Sequence, residues 1–249
     1  MTTEAPARGR VRVESSAKRV RAYFAGVAVA DTTRPVLVWE KPYYPTYYLP
    51  VADVRTDLLQ AESGTRHSPS RGDAQVFSLV VDDRVVEAVA LRYPDSPIDE
   101  LRDLVRFEWD AMDAWFEEDE EVFTHPRDPH TRVDILPSSR HVRVEVDGVT
   151  VADSTNSRML FETGLPVRYY LPKTHVRMDL LTPTDTVSHC PYKGQAEYWS
   201  VAGHADLVWS YPTPLPESER IAGLVSFYNE KLDIYVDAAL QERPQTPFS

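Results

Sequence analysis

The densest run of chemically capable side chains is His189-Cys-Pro-Tyr-Lys-Gly194. A thiol beside an imidazole and an ammonium has its thiolate stabilised, which makes Cys190 a candidate nucleophile with His189 and Lys193 as activating partners. The same run also reads as a turn into a strand, shaped by Pro191 and Gly194, with Cys190 packing as a small hydrophobe. A third reading is a loop that contacts a ligand. A second group, Glu162, Arg177, Asp179 and His189, lies on stretches where apolar and polar residues alternate. Charges there are costly to bury unless paired, so one reading is an ion pair that fixes strand register, for instance Glu162 with Arg177. The other is a polar pocket floor in which Arg177 is a fork for carboxylate or phosphate.

Every one of these places recurs earlier in the chain. Residues 19–79 set against 141–201 need no gap, and the offset of 122 puts Glu40 on Glu162, Tyr48 on Tyr170, Arg55 on Arg177 and His67 on His189. Beyond residue 81 the second copy is shorter, and Tyr93-Pro94 then matches Tyr211-Pro212. Further on, Leu104-Val105 and Phe107 match Leu224-Val225 and Phe227. So many ordered matches identify a tandem duplication. Cys190 and Lys193 meet Ser68 and Arg71, so at most one copy has thiol chemistry, and Trp199 meets Phe77. The candidate ligand-binding residues are Glu40, Tyr48, Arg55, His67 and Arg71 in the first copy. In the second they are Glu162, Tyr170, Arg177, His189, Cys190, Lys193 and Trp199.

The elements that must position these residues read as strands. Apolar and polar residues alternate on both sides of Asp147-Gly148, a pair that supplies the positive φ angles of a two-residue hairpin turn, and Ala25-Gly26 holds the same place in the first copy. Further strands fall at 36–40 and 159–162, at the two Tyr-Tyr-Leu-Pro segments, at 75–81 and 197–201, and at 84–92 and 205–211. Period-two alternation in Leu232-Asp-Ile-Tyr-Val236 predicts one short helix (98–103 and 217–223) followed by a β-hairpin turning at Tyr228-Asn-Glu. The acidic run 117–121 reads as a solvated edge. The fold class expected is mainly β. Two tandem copies of a compact antiparallel module, 10–121 and 132–242, would flank a proline-broken linker at 122–131 and form a pseudo-two-fold pair.

Net charge of −12 and a pI near 5.0 exclude an extended nucleic-acid footprint, which needs a basic face, though a local basic pocket could still take a nucleotide. No apolar run approaches the roughly 18 residues of a membrane span, and the first residues have no signal-peptide core, so a cytoplasmic protein with no membrane partner is expected. One cysteine rules out an intrachain disulfide and a multi-cysteine zinc site, and no metal site is assigned. Phosphate-binding glycine loops, the Gly-x-Ser-x-Gly elbow and paired Asp-x-Asp metal carboxylates are absent, and the cofactor is left unassigned. Tyr43, Tyr44, Tyr47 and Tyr48, with Tyr169, Tyr170, Tyr198, Trp199 and Trp209, suit either pocket walls or core.

Ala152-Asp-Ser154, Glu162, Tyr170-Leu-Pro172, Val176-Arg177, the His189–Gly194 run, Trp209-Ser-Tyr-Pro212 and Phe227-Tyr228 follow one another in the second copy. In that order they resemble the domain of unknown function 427 family, which also carries a nucleotidyltransferase label. The resemblance spans nearly the whole chain as two units. It implies a β-tent type fold, similar to the ligand-binding domain of cereblon and to methionine sulfoxide reductase B. Several relatives of that fold hold zinc with two Cys-x-x-Cys pairs, which this chain lacks. Others hold a flat ligand in an aromatic cage.

The leading functional expectation is a small-molecule-binding or accessory protein, monomeric with an internal pseudo-dimer. The rival is an enzyme acting on a nucleotide or similar anion, with Lys193 and Arg177 stabilising developing negative charge. A third is an interaction protein with vestigial pockets.

Overall fold

Alternating side chains produce strands along nearly the whole chain. The computed structural model describes residues 11–246, so the expected module start at residue 10 lies outside the described residues. The chain divides into two compact units, Met1–Asp128 and Pro129–Ser249. The strands of the first are β1 (Arg12–Ser15), β2 (Val20–Phe24), β3 (Val27–Thr32), β4 (Val36–Trp39), β5 (Thr46–Pro50), β6 (Leu59–Ser68), β7 (Gly72–Val81), β8 (Arg84–Arg92), β9 (Leu104–Phe107), β10 (Ala114–Glu117) and β11 (Glu120–Glu121). The second has β12 (Val133–Ser138), β13 (Val142–Val146), β14 (Val149–Ser154), β15 (Ser157–Glu162), β16 (Arg168–Tyr170), β17 (Leu181–Cys190), β18 (Gly194–Val201), β19 (His204–Ser210), β20 (Val225–Phe227), β21 (Asp233–Val236) and β22 (Ala239–Leu240).

In the first unit a seven-stranded sheet, ordered β1-β4-β5-β9-β8-β7-β6, faces a smaller one ordered β11-β10-β2-β3. The second unit has sheets β12-β15-β16, β17-β18-β19-β20 and β14-β13-β21-β22. Leu171 and Val225 exchange backbone bonds of 2.8 and 2.9 Å between the first two of these, which restores the strand order of the seven-stranded sheet. All ladders between these strands are antiparallel. Both hairpin turns form as expected. Asp147 (φ 50) and Gly148 (φ 78), like Ala25 (φ 50) and Gly26 (φ 75), take the left-handed conformation that matches strand twist.

Each large sheet is buried on both faces, and this places the site. One core of the first unit gathers Val20, Phe24, Tyr47, Leu49 and Trp115 between the sheets. A second, on the outer face of the large sheet, gathers Val38, Tyr48, Leu91, Tyr93 and Leu101. The second unit repeats this, with Tyr169 and Leu171 in one cluster and Tyr170, Trp209 and Tyr211 in the other. Neighbouring strand residues point to opposite faces, so each tyrosine pair feeds two cores.

Two local expectations are corrected. The expected helices are only 3₁₀ turns, at Asp99–Leu101 and Pro216–Ile221. The hairpin expected after them does not form, because β20 joins β19 in the large sheet while β21 pairs with β13 in the small one. Val225, Phe227, Ile234 and Val236 all enter the same core, from two sheets rather than from one ribbon. Two exposed edge strands, β6 and β17, have no apolar alternation to announce them. The acidic run forms the β10–β11 edge, with Glu117 buried and Glu118 to Glu121 exposed. Residues 122–126, within the segment read as a linker, pack on the first unit: Val122 is buried and His125 stacks on Tyr44. Among the described residues no helix is long and apolar enough to cross a membrane.

Candidate functional site

In the first unit a charged network grows from Glu40, at the end of β4. Tyr48 on β5 donates to its carboxylate at 2.6 Å. The β6–β7 turn brings Arg71 back to form an ion pair with Glu40, and Arg71 also donates to the Tyr48 hydroxyl at 2.8 Å. That turn closes through Gly72 at φ 87, a conformation that disfavours any side chain. Arg106 on β9 lies 3.2 Å from Glu40 through Nε and 2.6 Å from Glu108 through Nη1, and Arg66 completes the chain at 2.8 Å from Glu108. Burial alone would raise the Glu108 pKa, but the bonds and charges of Arg106 and Arg66 outweigh it and hold the carboxyl below its ordinary value. Burial, reinforced by the Glu40 charge, pushes the Tyr48 hydroxyl well up, so it stays a neutral donor.

The second unit keeps the frame and changes its chemistry. Lys193 replaces Arg71 and pairs with Glu162, both nearly buried. Burial would lower the lysine pKa, but Cys190, Glu162 and Tyr170 together raise it, so the ammonium is held charged. Tyr170 is fully buried, accepts a 3.1 Å bond from Trp209 Nε1, and is pushed up to about 12 by burial. Arg66, Arg106 and Glu108 give way to Ser188, Ser226 and Tyr228. Ser188 then pairs with the Tyr198 hydroxyl at 2.7 Å, while the Ser226 hydroxyl is buried without a hydrogen-bond partner among the described residues.

The structure thus brings together Glu40, Tyr48 and Arg71, and likewise Glu162, Tyr170, Lys193 and Cys190. It leaves the other candidates apart. Arg55 and Arg177 are exposed and each grips the aspartate two residues on, Asp57 at 2.8 and 2.7 Å and Asp179 at 2.9 and 2.7 Å. The expected Glu162–Arg177 pair is therefore replaced by Glu162–Lys193. His67 is exposed and bonds Asp73 at 2.6 Å. His189 is exposed on β17 while Cys190 is half-buried, as strand alternation requires, so the imidazole lies on the opposite strand face from the thiol that joins Lys193. Trp199 enters the inter-sheet core, with Lys173 5.0 Å from its ring centroid.

A cavity of about 190 Å³ opens beside the first-copy network. Arg106, between Glu40 and Glu108, contributes its charged floor. Trp109, stacked on Trp115 at 5.0 Å and 7°, and Tyr44, stacked on His125 at 4.0 Å and 9°, form the walls. Thr46 and Asp110 also line it. In the second unit Arg168 stands at the Thr46 position, for Thr46 pairs with Val38 as Arg168 does with Leu160. Its buried guanidinium bonds Glu230 twice at 2.6 Å and Asn229 at 3.1 Å, 5.5 Å from the Trp209 ring centroid and 5.8 Å from that of Tyr228. Tyr228, Asn229 and Glu230 occupy the places of Glu108, Trp109 and Asp110. Where the first copy sets Thr46 at its cavity, the second sets the buried Arg168. Thr46, Arg106, Glu108, Trp109 and Asp110 carry no motif that marks them in the sequence; their signal is that the second copy has Arg168, Ser226, Tyr228, Asn229 and Glu230 in their places.

Fold and site define a tandem pair of small antiparallel β modules, each with a carboxylate–cation–tyrosine network on the outer face of its larger sheet. The family described as Domain of unknown function (DUF427) matches residues 12–118 and again residues 134–238, and the chain belongs to that family. No curated protein matches the sequence.

Proposed function

We propose that the protein is a small-molecule-binding protein whose working site is the first-copy cavity, the second copy being a companion that has closed the equivalent place. The exchange of Thr46 for Arg168 carries this reading: a small residue leaves room between aromatic walls and a polar floor, and an arginine takes that room up. Aromatic walls with a few fixed polar groups suit a bound ring or short planar group. The 190 Å³ of space fits a group of that size better than a whole nucleotide. The family's nucleotidyltransferase label suggests an enzyme acting on an anion. Yet Arg71 and Lys193 are tied to Glu40 and Glu162, which supports an architectural role for both cations over charge stabilisation in transfer.

The test is a thermal-shift panel of metabolites on the full chain, repeated with Thr46→Arg. A ligand that raises the melting temperature of the parent protein and loses its effect in the variant supports the reading. A shift that persists undiminished in Thr46→Arg refutes the cavity as the site.

A further inference from the structure

The filled copy says what chemistry the open one accepts. In the second unit the occupant is a guanidinium, held by the Glu230 carboxylate in a two-bond fork beside the rings of Trp209 and Tyr228. The fork is strong enough that Glu230, whose pKa burial alone would raise, is held below its ordinary value by Arg168 and Thr246. At the matching place in the first unit stands Asp110, another carboxylate, exposed at the cavity and with no hydrogen-bond or ion-pair partner among the described residues. The rings of Trp109 and Tyr44 line the cavity beside it, and cations are attracted to aromatic rings. The floor cation Arg106 is paired with Glu108 and lies 3.2 Å from Glu40 through an Nε without a hydrogen bond among the described residues, so its charge is already balanced by two carboxylates. Lys41 lines the rim, 5.9 Å from the Tyr44 ring centroid, and brings a positive charge there.

We propose that the first-copy cavity takes a guanidinium group, from a small guanidino compound or from an arginine side chain of a peptide, with Asp110 as its carboxylate fork. This rests on the cavity being the binding site. In the first unit the ligand would supply from outside the group that Arg168 supplies from within in the second.

Calorimetric titration of the full chain tests it with methylguanidinium, an acetylated Gly-Arg-Gly amide, its citrulline analogue as neutral isostere, and benzoate as anion. We expect saturable binding of one or both guanidinium probes, with the citrulline peptide at least about tenfold weaker, since only a charged partner makes the strong fork. A response to methylguanidinium alone points to a small compound, and a tighter arginine peptide points to a polypeptide ligand. Asp110→Asn, at an exposed position that leaves the fold intact, should weaken guanidinium binding about tenfold, and Thr46→Arg should abolish it. Equal binding of the citrulline peptide, no effect of Asp110→Asn, or no binding of either guanidinium probe overturns the proposal. Binding of benzoate that Thr46→Arg blocks would overturn the guanidinium while leaving the cavity as a binding site. Binding that Thr46→Arg leaves untouched would remove the site itself.

Discussion

Glu162 and Lys193 show how a position shared by both copies can be read from sequence while its partner cannot. The recurrence of Glu40 and Glu162 marked them as charged groups that the fold keeps, but the cation that answers each is delivered by a turn far along the chain. Arg177 offered the same chemistry in a more obvious place, and a neighbouring aspartate had already taken it. Removing one member of a nearly buried pair strands the other, which costs far more than the pair contributes. Glu162→Ala should therefore lower the unfolding free energy by about 3 kcal/mol, measured in urea, while Glu162→Leu with Lys193→Met should recover most of that loss. A second prediction follows from Glu108 and Glu230, both held below their ordinary pKa on folding. A carboxylate of this kind contributes stability that is fully present above its unfolded value, about 4.3, and is lost as pH falls through its lower folded value. Stability should thus fall as pH is taken below about 4.3, and Glu230→Gln should flatten that fall in a pH series of melting curves. An unchanged slope in the variant would mean that other carboxylates govern acid unfolding.

The strands and turns carry most of what alternation and turn chemistry can announce. Asp147-Gly148 and Ala25-Gly26 turn as their residue types require, and Val142, Val144 and Val146 line one buried face of β13. β6 and β17 were illegible because their exposed edges need no apolar period. The hairpin expected around Tyr228 failed because alternation specifies which face is buried and says nothing of which sheet a strand joins. The two turns that deliver the site cations depend on a single backbone conformation. Gly72 and Gly194 sit at φ 87 and φ 95, and a Cβ at Gly194 would lie 3.4 Å from the backbone of Leu215 and Thr213. Gly194→Ala should cost about 1–2 kcal/mol, more than the few tenths typical of a surface change. Nuclear magnetic resonance should show the perturbation centred on Lys193 and Glu162. A silent substitution would mean that the turn relaxes without moving its lysine.

For the molecule as a whole, the duplication was visible in the sequence because equal cores demand equal apolar residues at equal spacing. What it concealed was the local difference between the copies, since exchanging Thr46 for Arg168 disturbs no apolar position and leaves the fold's pattern intact. The four apolar clusters explain why such divergence is tolerated: each draws its residues from one unit alone. Leu49 and Leu171 hold equivalent places, and both are fully buried. Truncating either to alanine removes the same methyl groups from a close-packed core, at a cost of about 2–5 kcal/mol. Scanning calorimetry of the full chain should resolve two transitions, with Leu49→Ala moving one and Leu171→Ala moving the other. A ligand of the first-copy cavity should raise only the transition that Leu49→Ala lowers. A single transition displaced equally by both substitutions would show that the copies unfold as one cooperative body, and the separation of binding copy from companion copy would then have to be argued from the cavity alone.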